Sequence, residues 1–444
     1  MEGTRAADSS LIYGLEDRVP LGQAILVSFQ HVAAMVVGTI TPPLILARAL
    51  DLRAVDTAHL VSMSLLASAL GALLQTTRRG PVGSGLLSVT GTSFAFLQPL
   101  IQAGHAGGLP LMLGLSLATA PVQILLAPLV PRLRRAFSTK VSGIIVLLIG
   151  LSLIPSAMAS VAAPLASDAP SWANALVALT VISVAVTAQL AAGQRMRLAS
   201  VLLGITAGYL VCGVGHWLHA PDPGDGAWLA LPRLMPHGFA LRGELVLPFA
   251  FIYVVSSLEA VGDMTATSLL SGLEVSGADH WKRLRGGVLA DGLTCLLSAC
   301  VGALPSTTYA QNNGVIQITG VASRRIGPIV ATILALLGLF PAVGLWVTAM
   351  PPPLLGALAL LLFGLVAVSG LRLILRAGIS HRDALLIALS LGAGLGVPSQ
   401  PRLFSSLPAA LRAVFDSGIA IGGVTALVLN LVMPERRAGA VDPS

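Results

Sequence analysis

Apolar runs, all but one of them about 20 to 28 residues long, recur along the whole chain, and no other feature narrows its fold so far. A helix rises about 1.5 Å per residue, so runs of this length match a hydrocarbon layer about 30 Å thick. They lie at 19–46, 58–77, 82–104, 109–130, 140–163, 173–192, 198–217, 245–272, 284–304, 309–320, 326–350, 354–375, 383–403 and 407–433. Composition closes the alternatives. Only 10% of the 444 residues are charged and 55% are hydrophobic, whereas a soluble domain carries about 25% charged residues. A disordered chain, a coiled coil and a soluble multidomain enzyme are excluded together. The expected class is an all-α polytopic membrane protein with about fourteen transmembrane segments.

The basic residues set the orientation. With the N-terminus inside, 20 of the 26 Lys and Arg fall in inner stretches and 6, namely Arg48, Arg53, Arg233, Arg242, Arg402 and Arg412, fall in outer ones. This positive-inside bias puts both termini in the cytoplasm. The formal charge of +7 is spread in ones to threes between apolar runs, so it marks membrane loops and not a nucleic-acid surface. Cys212, Cys295 and Cys300 lie in apolar stretches without metal spacing and read as core residues. No small-residue cleavage site follows the first apolar run, so no removed signal peptide is expected.

The polar stretch 219–244 divides the chain. The organisation read here is a cytoplasmic N-terminus at 1–18, a first repeat at 19–217, a connecting loop at 218–244, a second repeat at 245–433 and a cytoplasmic C-terminus at 434–444. An odd number of spans per half makes the second half enter from the opposite side, the arithmetic of a seven-plus-seven inverted repeat. The third segment of each half is a poor helix. One contains Gly83-Ser84-Gly85 and then Ser88 to Phe96; the other contains Pro305-Ser306-Thr307-Thr308-Tyr309 and then Gln311-Asn312-Asn313-Gly314. Such sequences expose backbone polar groups, which hydrocarbon tolerates only inside protein or beside a cavity. Small residues for helix packing would explain the Gly and Ser, but not Gln-Asn-Asn. Paired breaks of this kind point to a transport site near the midplane.

Four acids fall inside expected spans: Glu259, Asp263, Asp291 and Asp416. A carboxylate there costs a few kcal/mol on insertion scales, so function is its default reading. Glu259 and Asp263 are i and i+4 on one helix face, and Asp291 sits on the next helix. Bracing the broken backbone is the alternative role for Glu259, Asp263 and Asp291, and Asp416 is read as interfacial. His31, beside Gln30, is the histidine lying well inside a span and is read as a helix-to-helix hydrogen bond. No metal site is suggested, and the absence of GxxxxGK[ST] excludes an ATP-driven pump.

The run Gln311-Asn312-Asn313-Gly314-Val315-Ile316-Gln317-Ile318-Thr319-Gly320 resembles the signature of the nucleobase–ascorbate transporters (nucleobase:cation symporter 2). Gln30-His31, Gly91-Thr92-Ser93-Phe94, Glu259-Ala260-Val261-Gly262-Asp263 and Asp291-Gly292 fit the same family. The resemblance extends from Leu11 to Met433 and is nearest to bacterial xanthine and uric acid permeases. It implies core and gate domains, helices three and ten broken by short extended segments, and a homodimer in the bacterial inner membrane. It implies a substrate site of Glu259, Gln311, Ala310, Phe94, Ala95, Phe96, Asn312 and Gly38, with Phe96 as the ring contact. Glu259, Asp263, Asp291 and His31 would serve proton coupling or support the site.

The chemistry agrees with that resemblance. An oxopurine alternates N–H donors and carbonyl acceptors; a carboxylate accepts from ring N–H groups, and a carboxamide donates and accepts at once. Relatives that favour uracil commonly carry Glu at the first signature position, where this chain has Gln311. Ala95 replaces a larger polar residue of some xanthine-selective relatives, which extends the expectation to urate. The expected function is proton-coupled import of xanthine, uric acid or both by alternating access, with no cofactor besides the coupling proton. A uracil, broad-specificity or sodium-coupled carrier is the nearest alternative. An intramembrane enzyme or a small-anion channel is the alternative from another class.

Overall fold

Among the described residues, two strands of three residues each are embedded among helices. The computed structural model describes residues 11–132, 138–165, 169–190, 194–218, 231–275, 277–309, 311–340, 350–376, 378–404 and 418–433. In chain order the elements are α1 (Leu21–Ala49), α2 (Ala54–Thr77), β1 (Thr90–Thr92), α3 (Leu97–Leu126), α4 (Thr139–Ala162), α5 (Ser171–Leu190), α6 (Gln194–Val214), α7 (Gly243–Leu270), α8 (Gly277–Val301), β2 (Ser306–Thr308), α9 (Gln311–Thr319), α10 (Gly327–Leu339), α11 (Pro352–Arg376), α12 (His381–Gly396) and α13 (Gly418–Val432). Among the described residues, eight helical stretches are long and apolar enough to cross a membrane.

Most apolar runs of the sequence become helices within a few residues of their expected ends, and the departures have physical causes. The run at 82–104 starts without helix: a loop and β1 precede the 3₁₀ turn Phe94–Phe96, and α3 begins only at Leu97. Its density of Gly, Ser and Thr favours backbone conformations other than helix. The stretch Phe94–Leu129 spans 36 residues, about 54 Å at helical rise and too long for one crossing. It bends at Gly107 and Gly108, the latter at φ 68°, where the expected runs 82–104 and 109–130 meet. The run at 309–320 yields only the nine residues of α9, too short to cross a membrane alone. α8 starts at Gly277, earlier than the expected 284, because its first turns are charged and exposed. Residues 341–349, 407–417, residues 219–230 of the connecting loop and both chain ends lie outside the described residues, Asp416 among them.

The helices sort into two packing groups. The strand pair is flanked by α1, α2, α7 and α8, with α3, α9 and α10 packed on those helices. The second group joins α4 to α11, α5 to α6, and α12 to α13. Close backbone approach holds α4 on α11. A Cβ added at Gly370 would fall 2.3 Å from the Leu147 amide nitrogen, and one at Gly150 would fall 2.6 Å from the Phe363 carbonyl. Between lipid-embedded helices there is little hydrophobic driving force, so such small-residue contacts carry much of the packing.

Several hydroxyl groups on α1 are satisfied locally. Ser28, Thr39 and Thr41 donate back to the carbonyls of Ala24, Met35 and Val37 on α1, as backbone-poor hydrocarbon requires. The segment before α1 is tied down as well. Ile12 and Tyr13 donate to the Gly320 carbonyl at 2.8 and 3.1 Å, and Ala322 and Arg324 donate back to Tyr13 and Leu15. Arg324 pairs with Glu16, so residues 12–16 are fastened to the link between α9 and α10.

Candidate functional site

The site is assembled on the strand pair. β1 and β2 run antiparallel, with Thr90 opposite Thr308, Gly91 opposite Thr307 and Thr92 opposite Ser306. Pairing satisfies the backbone groups that the two broken segments expose, which is why extended chain survives inside a helical membrane protein. Side chains fasten the pair to its surroundings. Thr92 Oγ1 donates to the Thr39 carbonyl at 2.8 Å, and the Tyr309 hydroxyl donates to the Thr92 carbonyl at 2.7 Å. A Cβ at Gly91 would lie 2.5 Å from the Tyr309 ring, and one at Gly38 would lie 3.0 Å from it. Gly38 and Gly91 therefore make room for a tyrosine whose position the hydroxyl bond fixes.

α7 brings the acids to this pair. Glu259 Oε2 is out of solvent contact and has no hydrogen-bond partner among the described residues. One turn on, Asp263 Oδ1 accepts from Asn313 Nδ2 at 2.8 Å, while Asn313 Oδ1 accepts from Thr267 at 2.7 Å. This bridges α7 to α9. On α8, the fully buried Asp291 accepts from Gln75 Nε2 at 2.8 Å through Oδ1, and its Oδ2 is unpartnered among the described residues. Gln75 Nε2 also donates to the Gly287 carbonyl, and Gln75 Oε1 accepts from the Ser84 amide at 3.2 Å. One carboxamide thus links α2, α8 and the loop leading to β1.

α1 supplies His31, fully buried, whose Nδ1 lies 2.9 Å from Asn312 Nδ2. An amide nitrogen donates, so Nδ1 accepts and a neutral ring carries its hydrogen on Nε2. That Nε2 and Asn312 Oδ1 have no partner among the described residues. The helix-to-helix bond expected of His31 is present, between α1 and α9. Buried polar atoms without partners are costly in a protein interior and call for a ligand, a proton or water. Here Glu259, Asp291, His31 and Asn312 each present one.

The aromatic residues divide. Phe94 stacks with Tyr309 at 6.4 Å between ring centroids and meets Phe363 of α11 edge-on at 5.2 Å. Phe96 is fully buried and packs on Tyr253 at 4.6 Å, and Ala95 is fully buried between them. Phe94, more than Phe96, stands where the strand pair meets the second helix group. Ala310 lies outside the described residues, and Gln311 opens α9 with its side chain outside them.

Sequence reasoning passed over Gln75, Tyr309, Phe363 and the role of Asn313. Gln75 did carry a signal, a carboxamide within an apolar run. Tyr309 and Phe363 carried none, since aromatic residues are ordinary in membrane helices.

Comparisons with known proteins agree with one another. A sequence profile described as Permease family matches residues 22–403. The chain is 41% identical to the xanthine permease XanP of Escherichia coli K12 over 446 residues, covering 97% of this chain and 96% of that protein. It is 37% identical to the xanthine permease XanQ of the same strain, covering 98% and 96%. Among solved structures, the transmembrane domain of a cyanobacterial bicarbonate transporter, BicA, matches with a TM-score of 0.57 at 15% identity, covering 94% of this chain and 99% of that one. The murine anion transporter Slc26a9, in its inward-facing state, matches with a TM-score of 0.56 at 12% identity, covering 94% and 69%. At that identity the likeness is one of fold.

Proposed function

The chain belongs to the nucleobase–ascorbate transporter family, and from that premise we propose that it imports purine bases, xanthine, uric acid or both, together with protons. It is a multi-pass membrane transporter and not an enzyme. The observation that carries the proposal is the Glu259 carboxylate, its Oε2 buried and unpartnered beside the broken segments. A flat oxopurine edge offers the N–H donors that such a carboxylate accepts. Gln311, at the head of α9, complements the neighbouring donor and acceptor, while Phe94 and Phe96 border the ring. The 41% identity to a xanthine permease supports the substrate class.

The cycle we propose is alternating access. Protonation and substrate binding together neutralise and pair the buried acids, lowering the free energy of moving the group built on β1 and β2 past the group built on α4 and α11. The supporting architecture is a fourteen-segment, seven-plus-seven inverted repeat with core and gate domains. Antiparallel pairing of β1 with β2, one from each half of the chain, is the arrangement such a repeat leads one to expect. The active form is a homodimer in the bacterial inner membrane; the distribution of basic residues supports an orientation with both termini cytoplasmic.

Uptake of radiolabelled xanthine into cells tests this reading. Urate should compete, uracil should compete poorly, sodium should be dispensable, and an uncoupler should abolish accumulation. Strong competition by uracil, or accumulation that needs sodium and survives the uncoupler, would overturn the assigned substrate or coupling ion.

A further inference from the structure

At the end of the molecule where α1 and α10 both begin lies a crevice of about 240 Å³ lined by Arg18, Val19, Leu21, Ala24, Arg325 and Ile326, with Ile329 one turn deeper. Both arginines are exposed. Arg325 Nε donates to the Glu16 carbonyl at 3.1 Å, which ties it to the segment carrying Arg18 and holds the two at one mouth. The remaining guanidinium nitrogens of Arg325, and the whole guanidinium of Arg18, have no partner among the described residues. Glu16 does not neutralise them, because its carboxylate is taken by Arg324.

Below the mouth the walls turn apolar. On α1, Leu21, Ile25 and Phe29 are 71%, 39% and 54% exposed at i, i+4 and i+8, so they form one stripe running away from the crevice. On α10, Ile329, Ile333 and Leu336 follow at i, i+4 and i+7, also one helix face, Leu336 being 51% exposed. Two guanidinium groups with unpartnered nitrogens, above an apolar stripe on each of two packed helices, match an amphiphile with an anionic head and hydrocarbon tails. Arginine forks suit phosphate oxygens, and the arginine-rich side of a membrane protein is the side facing anionic lipid.

We propose that this crevice binds one acidic phospholipid, its phosphate between Arg18 and Arg325 and its acyl chains along the Leu21–Ile25–Phe29 and Ile329–Ile333–Leu336 stripes. The bound lipid bridges the start of α1 to the start of α10, the two elements that the segment 11–17 already fastens together, and so steadies the link that follows α9. Nothing in this assignment depends on which base is transported.

The test uses the purified full chain in detergent, with thermal melting and native mass spectrometry during titration of phosphatidylglycerol, phosphatidylcholine or sodium phosphate. Phosphatidylglycerol should raise the melting temperature and leave one retained lipid per chain. The R18Q/R325Q variant should need at least about tenfold more lipid for the same shift, while R132Q, which removes a charge elsewhere on the arginine-rich side, should titrate like the parent. Arg18→Gln alone breaks no described contact, so it should fold and should still weaken lipid retention about threefold. Equal titration of the parent, R18Q and R18Q/R325Q would overturn the proposal. So would equal protection by phosphatidylcholine, or by sodium phosphate, which would make the ligand a free anion.

Discussion

Gln75 reaches from α2 to α8 and donates to Asp291 Oδ1 at 2.8 Å, while its own carbonyl oxygen receives the Ser84 amide. The bond joins a helix of the first half of the chain to an acid of the second, and it also anchors the loop that leads into β1. Replacing Gln75 by Leu leaves the Ser84 amide and one oxygen of Asp291 without partners in a dry interior. Each such group costs about 1–3 kcal/mol. Q75L should therefore melt at a clearly lower temperature and lose most uptake, with Gln75→Glu recovering neither fully. A Q75L protein that melts with the parent would show that the carboxamide does not hold these elements together.

Glu259 separates binding from coupling. Removing its charge while keeping its shape, as in Glu259→Gln, exchanges a charge-assisted hydrogen bond worth about 1.5–3 kcal/mol for a neutral one. Each 1.4 kcal/mol is tenfold in affinity, so apparent affinity for xanthine should weaken by about tenfold or more. Accumulation driven by an imposed pH gradient should vanish. Concentrative uptake at the parental level in E259Q vesicles would remove Glu259 from the coupling step.

The glycines facing Tyr309 predict an order of severity. An added methyl at Gly91 meets the ring at 2.5 Å, and at Gly38 it meets the ring at 3.0 Å. Tyr309 cannot swing aside without breaking its bond to the Thr92 carbonyl. Gly91→Ala should abolish uptake and lower thermal stability, and Gly38→Ala should retain a measurable fraction of both. Reversal of that order in uptake and melting assays would mean that the ring is free to relocate.

Phe94 and Phe363 meet edge-on across the two helix groups. Such a ring pair contributes about 0.5–1.5 kcal/mol beyond burial. In a double-mutant cycle of Phe94→Ala and Phe363→Ala, the effects on KM for xanthine should be less than additive, with a coupling of about 1 kcal/mol. Strict additivity would place the two rings in separate roles.

How much of this was legible beforehand differs from residue to residue. The apolar runs located the helices because length and hydropathy alone fix what crosses a membrane. The broken segments were visible for the converse reason: Gly-Ser-Thr and Gln-Asn-Asn sequences do not make stable helix in hydrocarbon. Glu259, Asp263 and Asp291 announced themselves by the cost of charge in lipid. The partners of those acids were not legible. Gln75 lies more than 200 residues from Asp291, and Asn313 lies 50 residues from Asp263. Only folding brings such pairs within 3 Å, and one carboxamide in a helix looks like another.

The sequence by itself determined the class of molecule, the level of its breaks and the identity of its costly buried groups, because desolvation acts on each residue wherever it stands. The tertiary structure alone decided that β1 and β2 satisfy one another, that Phe94 rather than Phe96 meets α11, and that Arg18 and Arg325 flank one crevice. These are relations of distance between remote parts of the chain. Hydrogen bonds and ring contacts act over a few ångströms, so no composition or spacing along the chain specifies them until packing has closed the gap.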